Sequence, residues 1–299
     1  MRRRPEIILK KVQGRDQQSG SPVYPRLSPD EVEGWRGIIY RYYQAHKREM
    51  PWRQTRDPYH ILVSEIMLQQ TQVERVLSKY GQFLNRFPNL ATLARAPWPE
   101  VLAVWQGLGY NRRALALKRL AQEVMVKGDG RLPDREEDLR ALPGIGPATA
   151  GAILAFAFEQ PVAFIETNIR RVFLHFFFNE QNGVKDREIL PLVQQTLDRE
   201  RVREWYYALM DYGAQLKGLA PNPNRRSAHY ARQSPFTGSN REVRSLILKT
   251  LLAAPAESLE ELAGFIGKSR TRTRTALEQL VAEGFVVRKG EQLRLASRV

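Results

Sequence analysis

Apolar residues recur every three or four positions along most of the chain between Ser28 and Gly218, and this spacing predicts helices. Proline and glycine interrupt the pattern and mark where helices begin and end. The alternation of apolar and polar residues that is typical of strands is scarce there. The helices predicted in this part of the chain cover residues 58–70, 71–87, 93–105, 114–127, 136–141, 149–158, 168–177, 186–198 and 201–216.

A different pattern follows a turn-rich segment between residues 220 and 240. Three more helical stretches precede two short runs of β-forming residues, which Lys289-Gly290 joins in a turn. Three helices followed by a hairpin are typical of a winged helix-turn-helix. These elements cover residues 243–252, 258–266, 269–283, 285–288 and 292–295.

The predicted fold class is therefore mainly α, with four segments of different character. Residues 1–28 are polar and basic without a sustained period, and we expect a flexible arm there. Residues 29–219 form the large helical domain, 220–240 a linker, and 241–299 the winged-helix domain. A chain of 299 residues is long enough for two domains with separate cores.

Composition narrows the class of partner. Lys and Arg number 47 against 32 Asp and Glu, so the formal net charge is +15 and favours a polyanion. Nucleic acid is the first candidate, and an anionic membrane surface or a merely soluble basic protein are the alternatives. Without cysteine the chain forms no disulfide and no thiolate-held cluster, and four scattered histidines disfavour a zinc site. No long apolar run or signal peptide is found, which predicts a soluble cytoplasmic protein associated with the nucleoid.

The segment Leu142-Pro-Gly-Ile-Gly146 lies between two predicted helices. Its glycines allow a tight turn whose amides, together with the start of the next helix, can bind one phosphate. A bare turn of this kind is more often an ordinary helix connection. Two neighbouring segments, which contain Glu65 before the turn and Glu166 after it, favour the phosphate-binding interpretation.

Two carboxylates are the candidate catalytic groups. Glu65 shares a helix face with apolar residues, so burial should raise its pKa and let it act as a general acid. Glu166 opens the helix that contains Asn168, and the helix dipole should favour its ionised form. The alternatives are a Glu65 that reaches solvent or pairs with an arginine, and a Glu166 that only contributes charge to a helix start capped by Asn168.

Several motifs in order resemble one family. They are Pro51-Trp-Arg53, Asp57-Pro-Tyr59, Ser64-Glu-Ile-Met-Leu-Gln-Gln-Thr-Gln-Val73, Trp105-Gln-Gly-Leu-Gly-Tyr110 followed by Arg113-Ala114, Leu142-Pro-Gly-Ile-Gly146, Thr149-Ala-Gly-Ala-Ile153, Asn168-Ile-Arg-Arg-Val172 and Met210-Asp-Tyr-Gly-Ala214. From about Trp35 to Gln215 the chain resembles the helix-hairpin-helix base-excision DNA glycosylases, and among them the MutY-type adenine glycosylases. The resemblance implies a two-lobed helical fold and duplex DNA carrying a mispaired or damaged base as partner.

The resemblance also implies roles for individual residues. Glu65 would protonate a flipped-out base, Glu166 would stabilise the sugar cation or its adduct, and Asn168 would position that carboxylate. Gln69 and Gln70 would contact or replace bases, and Tyr110 would wedge beside the lesion. The full set of expected DNA contacts, including basic residues of the C-terminal segment Lys268-Ser-Arg-Thr-Arg-Thr-Arg274, is Arg53, Gln69, Gln70, Tyr110, Leu142, Gly144, Gly146, Thr149, Arg270 and Arg272.

The chain departs from the family in four places. Glu166 stands where the family has aspartate, and Ala148 stands where bifunctional relatives have a lysine, so strand cleavage by β-elimination is not expected. Residues 215–233 lack the cysteines that hold the family's iron–sulfur cluster, so no cofactor is expected. The predicted winged helix replaces a Nudix-like domain, and it can bind DNA or dock a protein.

The sequence thus predicts a monomeric, monofunctional glycosylase that needs no metal or cofactor and removes adenine opposite guanine or 8-oxoguanine. Within the same enzyme class, a mismatched thymine or uracil, or hypoxanthine, is the alternative substrate. A non-catalytic DNA-binding protein and a transcription regulator built around residues 241–299 are the alternatives from other classes.

Overall fold

The computed structural model describes residues 13–15, 22–23, 26–127, 130–218, 221–231 and 234–297. Within these residues the protein is mainly helical, with two short antiparallel pairs of strands. The helices are α1 (Pro29–His46), α2 (Pro58–Leu68), α3 (Val73–Arg86), α4 (Leu90–Arg95), α5 (Trp98–Trp105), α6 (Arg112–Lys127), α7 (Glu136–Arg140), α8 (Pro147–Ala157), α9 (Thr167–Phe176), α10 (Asp186–Thr196), α11 (Val202–Leu216), α12 (Asn240–Ala253), α13 (Leu259–Ile266) and α14 (Arg270–Ala282). The strands are β1 (Gln13–Arg15), β2 (Pro22–Val23), β3 (Val286–Lys289) and β4 (Gln292–Leu295).

Most helix ends follow the capping residues of the sequence. Ser28 and Glu31 form a reciprocal capping box at the start of α1. Asp57 caps α2 by accepting from the amides of Tyr59 and His60 at 2.8 and 3.1 Å, and Pro58 occupies the first helical position. The helices of the first 218 residues therefore begin and end close to the predicted positions.

The structure differs from the prediction in two places. The single helix predicted over residues 93–105 is two helices, α4 and α5, because Pro97 forces the preceding Ala96 out of the helical region (ψ 138°). The strands β1 and β2 pair within the segment predicted to be a flexible arm. The other residues of 1–25 lie outside the described part of the chain.

The chain divides into two compact units that interleave along the sequence. Unit 1 contains residues 1–56, 134–136 and 146–232, and unit 2 contains residues 57–133, 137–145 and 233–299. The predicted linear division is different, since it places residues 29–219 in one domain and 241–299 in another. By packing, the C-terminal segment belongs to the same unit as α2–α6.

Unit 1 is built around aromatic side chains. The ring of Trp35, fully buried on α1, lies 5.2 Å from Phe173 and 5.5 Å from both Phe177 and Trp205. These are mostly tilted or edge-on contacts, the favourable geometry for aromatic pairs. The cluster joins α1, α9 and α11, and so fixes the helix that carries Asn168.

A buried charge cluster ties the loop after α1 to α11. Asp211 is 2% exposed and accepts from the Arg48 backbone amide at 3.0 Å and from both terminal nitrogens of Arg53 at 2.8 and 2.7 Å. Burial alone would raise the pKa of Asp211, but the hydrogen bonds and charges of Arg53 and Arg48 outweigh it and hold this pKa below its usual value. The carboxylate is therefore ionised and fully paired at neutral pH.

In unit 2 the C-terminal elements pack on α5 and α6. Phe285, fully buried before β3, meets Trp98 edge-on at 5.4 Å, and Trp98 donates its amide to Ser297. Glu283, after α14, accepts bidentate hydrogen bonds from Arg112 of α6 and Arg244 of α12. These bonds lower the pKa of Glu283 to about 2, so the three-residue pairing persists over the physiological pH range.

No helix among the described residues is both long and apolar enough to cross a membrane.

Replacing Asp211 by Asn should lower the free energy of unfolding by about 3–5 kcal/mol at pH 7, because it leaves the buried Arg53 without a counter-ion. The pKa of Asp211 is depressed in the folded state, so the stabilisation is present above the unfolded pKa of about 3.9 and is lost as pH falls through the folded pKa. Urea denaturation followed by circular dichroism should show the gap between wild type and variant narrowing below about pH 4.

Glu159 provides the matched control, since its ion pair with Arg56 lies in the same unit but both side chains are exposed. Glu159→Gln should change stability by less than about 1 kcal/mol. Equal losses in the two variants would show that the buried pair is not the stabilising one.

A second prediction concerns the close approach of α9 and α11 at Gly213. A Cβ added there would lie 2.3 Å from the backbone oxygen of Asn168, a distance that no side-chain movement relieves. Gly213→Ala should therefore cost about 1–3 kcal/mol by forcing the helices apart. Gly264→Ala, in α13 with nothing within 4 Å, should leave stability unchanged or raise it by up to about 1 kcal/mol. Thermal denaturation of both variants checks this, and a neutral Gly213→Ala would contradict the packing argument.

Candidate functional site

Glu65 lies on α2 of unit 2 and is half-buried. Its helical neighbours Ile61 and Leu62 are buried and Leu68 is half-buried, so the predicted apolar surroundings are present on this face. Ser64, also buried, satisfies its hydroxyl by donating to the Ile61 carbonyl at 2.8 Å. The helix therefore places Glu65 beside buried apolar side chains, as its sequence pattern predicts.

Arg113 organises the chain at the end of α2. One terminal nitrogen donates to the carbonyls of Ile66 and Met67 at 2.9 and 2.8 Å, and also to the carbonyl of Gln69. These carbonyls have no partner inside the helix, so the guanidinium caps the negative end of α2. Burial lowers the pKa of Arg113 to about 10, and the group remains charged at neutral pH.

The other terminal nitrogen of Arg113 bonds the loop before α6. It donates to Thr71 Oγ1 at 2.8 Å and to the carbonyls of Leu108 and Gly109 at 3.3 and 3.1 Å. One side chain thus fixes the loop that carries Gln69 and Gln70 together with the loop that carries Tyr110.

Gln70 and Tyr110 share an unusual backbone conformation. Their φ angles are 55° and 49°, in the left-handed region, and the only other non-glycine residue of the described chain in that region is Glu159. Such a conformation costs about 1–3 kcal/mol and persists where the surrounding structure imposes it. Here the hydrogen bonds of Arg113 to the carbonyls of Gln69 and Gly109 impose it. Strain of this kind clusters at binding sites, which supports a functional role for both side chains.

The part of the predicted hairpin that belongs to unit 2 contacts the same loop. Gly144 has φ 81°, and a Cβ there would lie 2.9 Å from that of Ala116, so a glycine is required. Its carbonyl accepts from the side-chain amide of Gln69 at 3.4 Å. Leu142 is 8% exposed and anchors the turn by accepting from the Ile145 amide at 3.2 Å.

The remaining hairpin residues belong to unit 1. Gly146 is the N-cap of α8, and its extended backbone (φ −94°, ψ 175°) leaves space around the position of a side chain. Thr149 lies in the first turn of α8 and is 9% exposed. With Ala148 beside it, this helix start offers backbone amides and no amine nucleophile.

Glu166 is the N-cap of α9, while Asn168 is the second residue of the helix. One oxygen of Glu166 accepts from the amides of Asn168 and Ile169 at 2.7 and 2.8 Å. The other accepts from the side-chain amide of Asn168 at 3.2 Å. The capping alternative from the sequence is thus partly realised, but Glu166 and not Asn168 is the cap.

Burial raises the pKa of Glu166, and this effect exceeds the lowering by the two amides and by the charges of Arg170 and Arg171. The amides at the start of the helix lower this pKa, in the direction expected from the sequence, but burial outweighs them. A carboxylate held in this way is strongly desolvated, which strengthens its attraction for a nearby cation.

A hydrogen-bond chain holds Asn168 in place. Its side-chain oxygen accepts from Arg171 at 2.8 Å, and the same nitrogen of Arg171 donates to the Gly213 carbonyl at 2.6 Å. The Nε of Arg171 donates to Asn222 at 3.3 Å. The orientation of the Glu166 carboxyl therefore depends on a buried arginine and on the segment that follows α11.

The segment after α11, residues 215–233, corresponds to the one that holds the iron–sulfur cluster in the family that the sequence resembles. It lacks cysteine and does not fit such a group; a 3₁₀ turn, Pro223–Arg226, occupies it instead. Asn224 donates to the Thr167 carbonyl at 3.1 Å and Arg226 to the carbonyls of Leu174 and Asn179 at 2.9 and 3.2 Å. These bonds cap and brace α9 directly by protein groups.

The predicted arginines have different surroundings. Arg53 is an error of the sequence analysis: its side chain is 8% exposed and committed to Asp211, so it is not presented to a phosphate. Arg270 and Arg272 lie exposed at the start of α14; the first pairs with Glu260 at 2.5 Å and the second donates to the Gly238 carbonyl at 2.5 Å. Exposed contacts of this kind are weak, so each guanidinium group can leave its present partner and bind another anion.

Two residues of the site, Arg113 and Arg171, are not among the predicted ones. Both residues belong to matched motifs, yet their importance lies in backbone carbonyls far along the chain, which no spacing rule identifies. The only available signal was an arginine within an otherwise apolar helical pattern.

Three comparisons place the chain among known proteins. The family described as "HhH-GPD superfamily base excision DNA repair protein" matches residues 63–195. Adenine DNA glycosylase of Buchnera aphidicola subsp. Baizongia pistaciae is 35% identical over 187 residues, covering 62% of this chain and 53% of the relative. Adenine DNA glycosylase of Mycobacterium tuberculosis is 33% identical over 291 residues, covering 88% and 95%.

Among solved structures, a thermostable thymine-DNA glycosylase is 26% identical with a TM-score of 0.57, covering 64% of this chain and 90% of that one. The chain spans about half the length of the Buchnera relative and nearly all of the mycobacterial one. The chain therefore belongs to the HhH-GPD superfamily of base excision DNA repair proteins, and within it to the family of the adenine DNA glycosylases.

Proposed function

We propose that this protein is a monofunctional DNA glycosylase of base excision repair, acting on DNA in the cytoplasm and hydrolysing the bond between deoxyribose and an adenine mispaired with guanine or 8-oxoguanine. The match to adenine DNA glycosylases over nearly the whole length of the mycobacterial relative is the observation that carries it. The net charge of +15 suits a duplex DNA partner.

Glu65 is the proposed general acid. A base inside a duplex is out of reach, so the nucleotide must first be flipped out of the stack. Glu65 then transfers its proton to a ring nitrogen of the base, the base leaves with the electron pair of the glycosidic bond, and positive charge develops on the sugar. The apolar face of α2 supports this role, because it places the acid beside a core from which water is excluded.

Glu166 is the proposed stabiliser of the sugar cation, with Asn168 as its positioning residue. Its N-cap bonds fix the direction of both oxygens, and burial makes the negative charge costly until a cation forms nearby. Water then adds to the sugar and releases a proton, which leaves an abasic site. Ala148 supplies no amine for a Schiff base, so the strand stays intact.

The DNA-contacting groups are proposed from the same geometry. Gln69 and Gln70 supply groups for the space left by the flipped base, and Tyr110 enters the stack beside the lesion. The glycine turn with the start of α8 binds the backbone. The three helices and hairpin of residues 240–295 have the order of a winged helix, and Arg270 and Arg272 at the start of its third helix are proposed phosphate contacts.

A second substrate class has one observation in its favour. The similar solved structure is named as a thymine-DNA glycosylase, and it covers 64% of this chain. A thymine mispaired with guanine is therefore the alternative base.

The deciding experiment incubates end-labelled duplexes containing A:8-oxoguanine, A:G, T:G, U:G or hypoxanthine with the protein, with and without alkali. We expect alkali-dependent cleavage at adenine and no cleavage without alkali. Glu65→Gln, which keeps the shape and loses the acid, should slow base release by about 10²–10⁴-fold. Equal rates for Glu65→Gln and wild type would refute the mechanism, and binding without release on every duplex would indicate a non-catalytic protein.

Glu166→Gln tests the second carboxylate separately. The amide oxygen can still accept from the backbone amides of Asn168 and Ile169, so the cap survives, while the charge and the bond from the Asn168 side chain are lost. We expect single-turnover adenine release to fall by about 10²–10³-fold with little change in melting temperature. Glu166→Asp keeps the charge and should retain most activity. If Gln and Asp variants are equally active, Glu166 serves only as a cap.

A further inference from the structure

The C-terminal part of unit 2 reaches Tyr110. Arg241, in the first turn of α12, donates from one terminal nitrogen to the Tyr110 hydroxyl at 2.9 Å. The guanidinium carbon lies 5.7 Å from the centre of the tyrosine ring. The other terminal nitrogen donates to the Ser234 carbonyl at 2.6 Å, which fixes the guanidinium from its opposite side.

Two cations lie close to the Tyr110 ring. Arg113 lies 5.3 Å from the ring centre, and it fixes the backbone beneath through the Gly109 carbonyl. Arg241 fixes the far end of the same side chain, at the hydroxyl. Two arginines from different parts of unit 2 therefore determine where a half-buried aromatic ring with a left-handed backbone is directed.

The position of Arg241 is itself well determined. Helix α12 is joined to α6 by the Arg112–Glu283–Arg244 cluster, in which Arg244 lies one turn after Arg241. Phe285 packs on Trp98 behind it. The C-terminal helices are therefore held to α5 and α6 by these contacts, and they form one compact unit with the loop that carries Tyr110.

We propose that Arg241 is a positioning residue for Tyr110, through which the C-terminal helices take part in recognising the mispair. This inference rests on the proposed function, in which Tyr110 enters the stack beside the lesion. A side chain that inserts into the base stack loses less conformational freedom when its orientation is fixed beforehand. The bond from Arg241 therefore favours insertion of Tyr110 into a weakened mispair.

The test uses the full-length chain and a duplex in which 2-aminopurine stands next to a non-hydrolysable 2′-fluoro adenosine opposite 8-oxoguanine. Unstacking of 2-aminopurine raises its fluorescence and reports wedge insertion without base release. Tyr110→Phe removes the hydroxyl and keeps the ring, and Arg241→Lys keeps the charge but shortens the reach. Both variants should reduce the preference for the mispair over a fully paired duplex by about tenfold. The double variant should be no worse than either single one, because both remove the same bond.

A third variant, Arg241→Gln, removes the charge of Arg241. Lys249→Gln is its matched control, because Lys249 lies exposed on the same helix and this substitution removes the same charge. Both of these variants should weaken binding to undamaged duplex through the loss of one cation. Only Arg241→Gln should also lower the fluorescence change and the mispair preference. Melting temperatures within about two degrees of wild type would exclude misfolding as the cause.

The outcomes separate the two proposals. If wild type unstacks the probe and Tyr110→Ala does not, while Arg241→Lys, Arg241→Gln and Tyr110→Phe all behave as wild type, the inference about Arg241 is wrong and the proposed function stands. Additive losses in the double variant would also overturn it. If wild type unstacks the probe but releases no base from hydrolysable duplexes, the proposed enzymatic function fails, and the fluorescence of the variants still decides the role of Arg241.

Discussion

The hydrogen bonds of the Arg113 guanidinium hold together the candidate DNA-contacting surface of unit 2, which contains Gln69, Gln70 and Tyr110. The guanidinium caps the carbonyl end of the helix that carries Glu65 and bonds the next two loops at Gln69 and Gly109. Each of these loops contains a residue in the left-handed region, which would relax without an external constraint. A neutral or shorter side chain could not supply so many donors from this half-buried position.

Unit 1 uses a similar device for the second carboxylate. Arg171 bonds Asn168 and the Gly213 carbonyl, and Asn168 in turn bonds Glu166. The same arginine reaches Asn222 in the cysteine-free segment, so protein hydrogen bonds brace α9 where the resembling family uses a metal cluster. In both units an arginine, half-buried in unit 2 and buried in unit 1, bonds backbone carbonyls around a helix that carries a candidate carboxylate.

The sequence predicted the helical framework well because its signals are local. Capping residues such as Asp57 and turn residues such as Gly144 act within a few positions of themselves, and the structure has them in the expected conformations. The prediction of one helix over residues 93–105 was wrong, because it gave too little weight to Pro97, which separates α4 from α5. Prediction also failed where a partner far along the chain decides, as for Arg53, which pairs with Asp211.

By itself the sequence determined the fold class, the motif set of the family, the lack of thiolate ligands and the identity of the two candidate acids, since each of these is written in residue types and short spacings. Only the tertiary structure decided that the C-terminal helices pack in one unit with α2–α6, that burial raises the pKa of Glu166, and that Arg241 reaches Tyr110. These facts depend on burial and on contacts between residues more than a hundred positions apart, and neither is encoded in any local pattern.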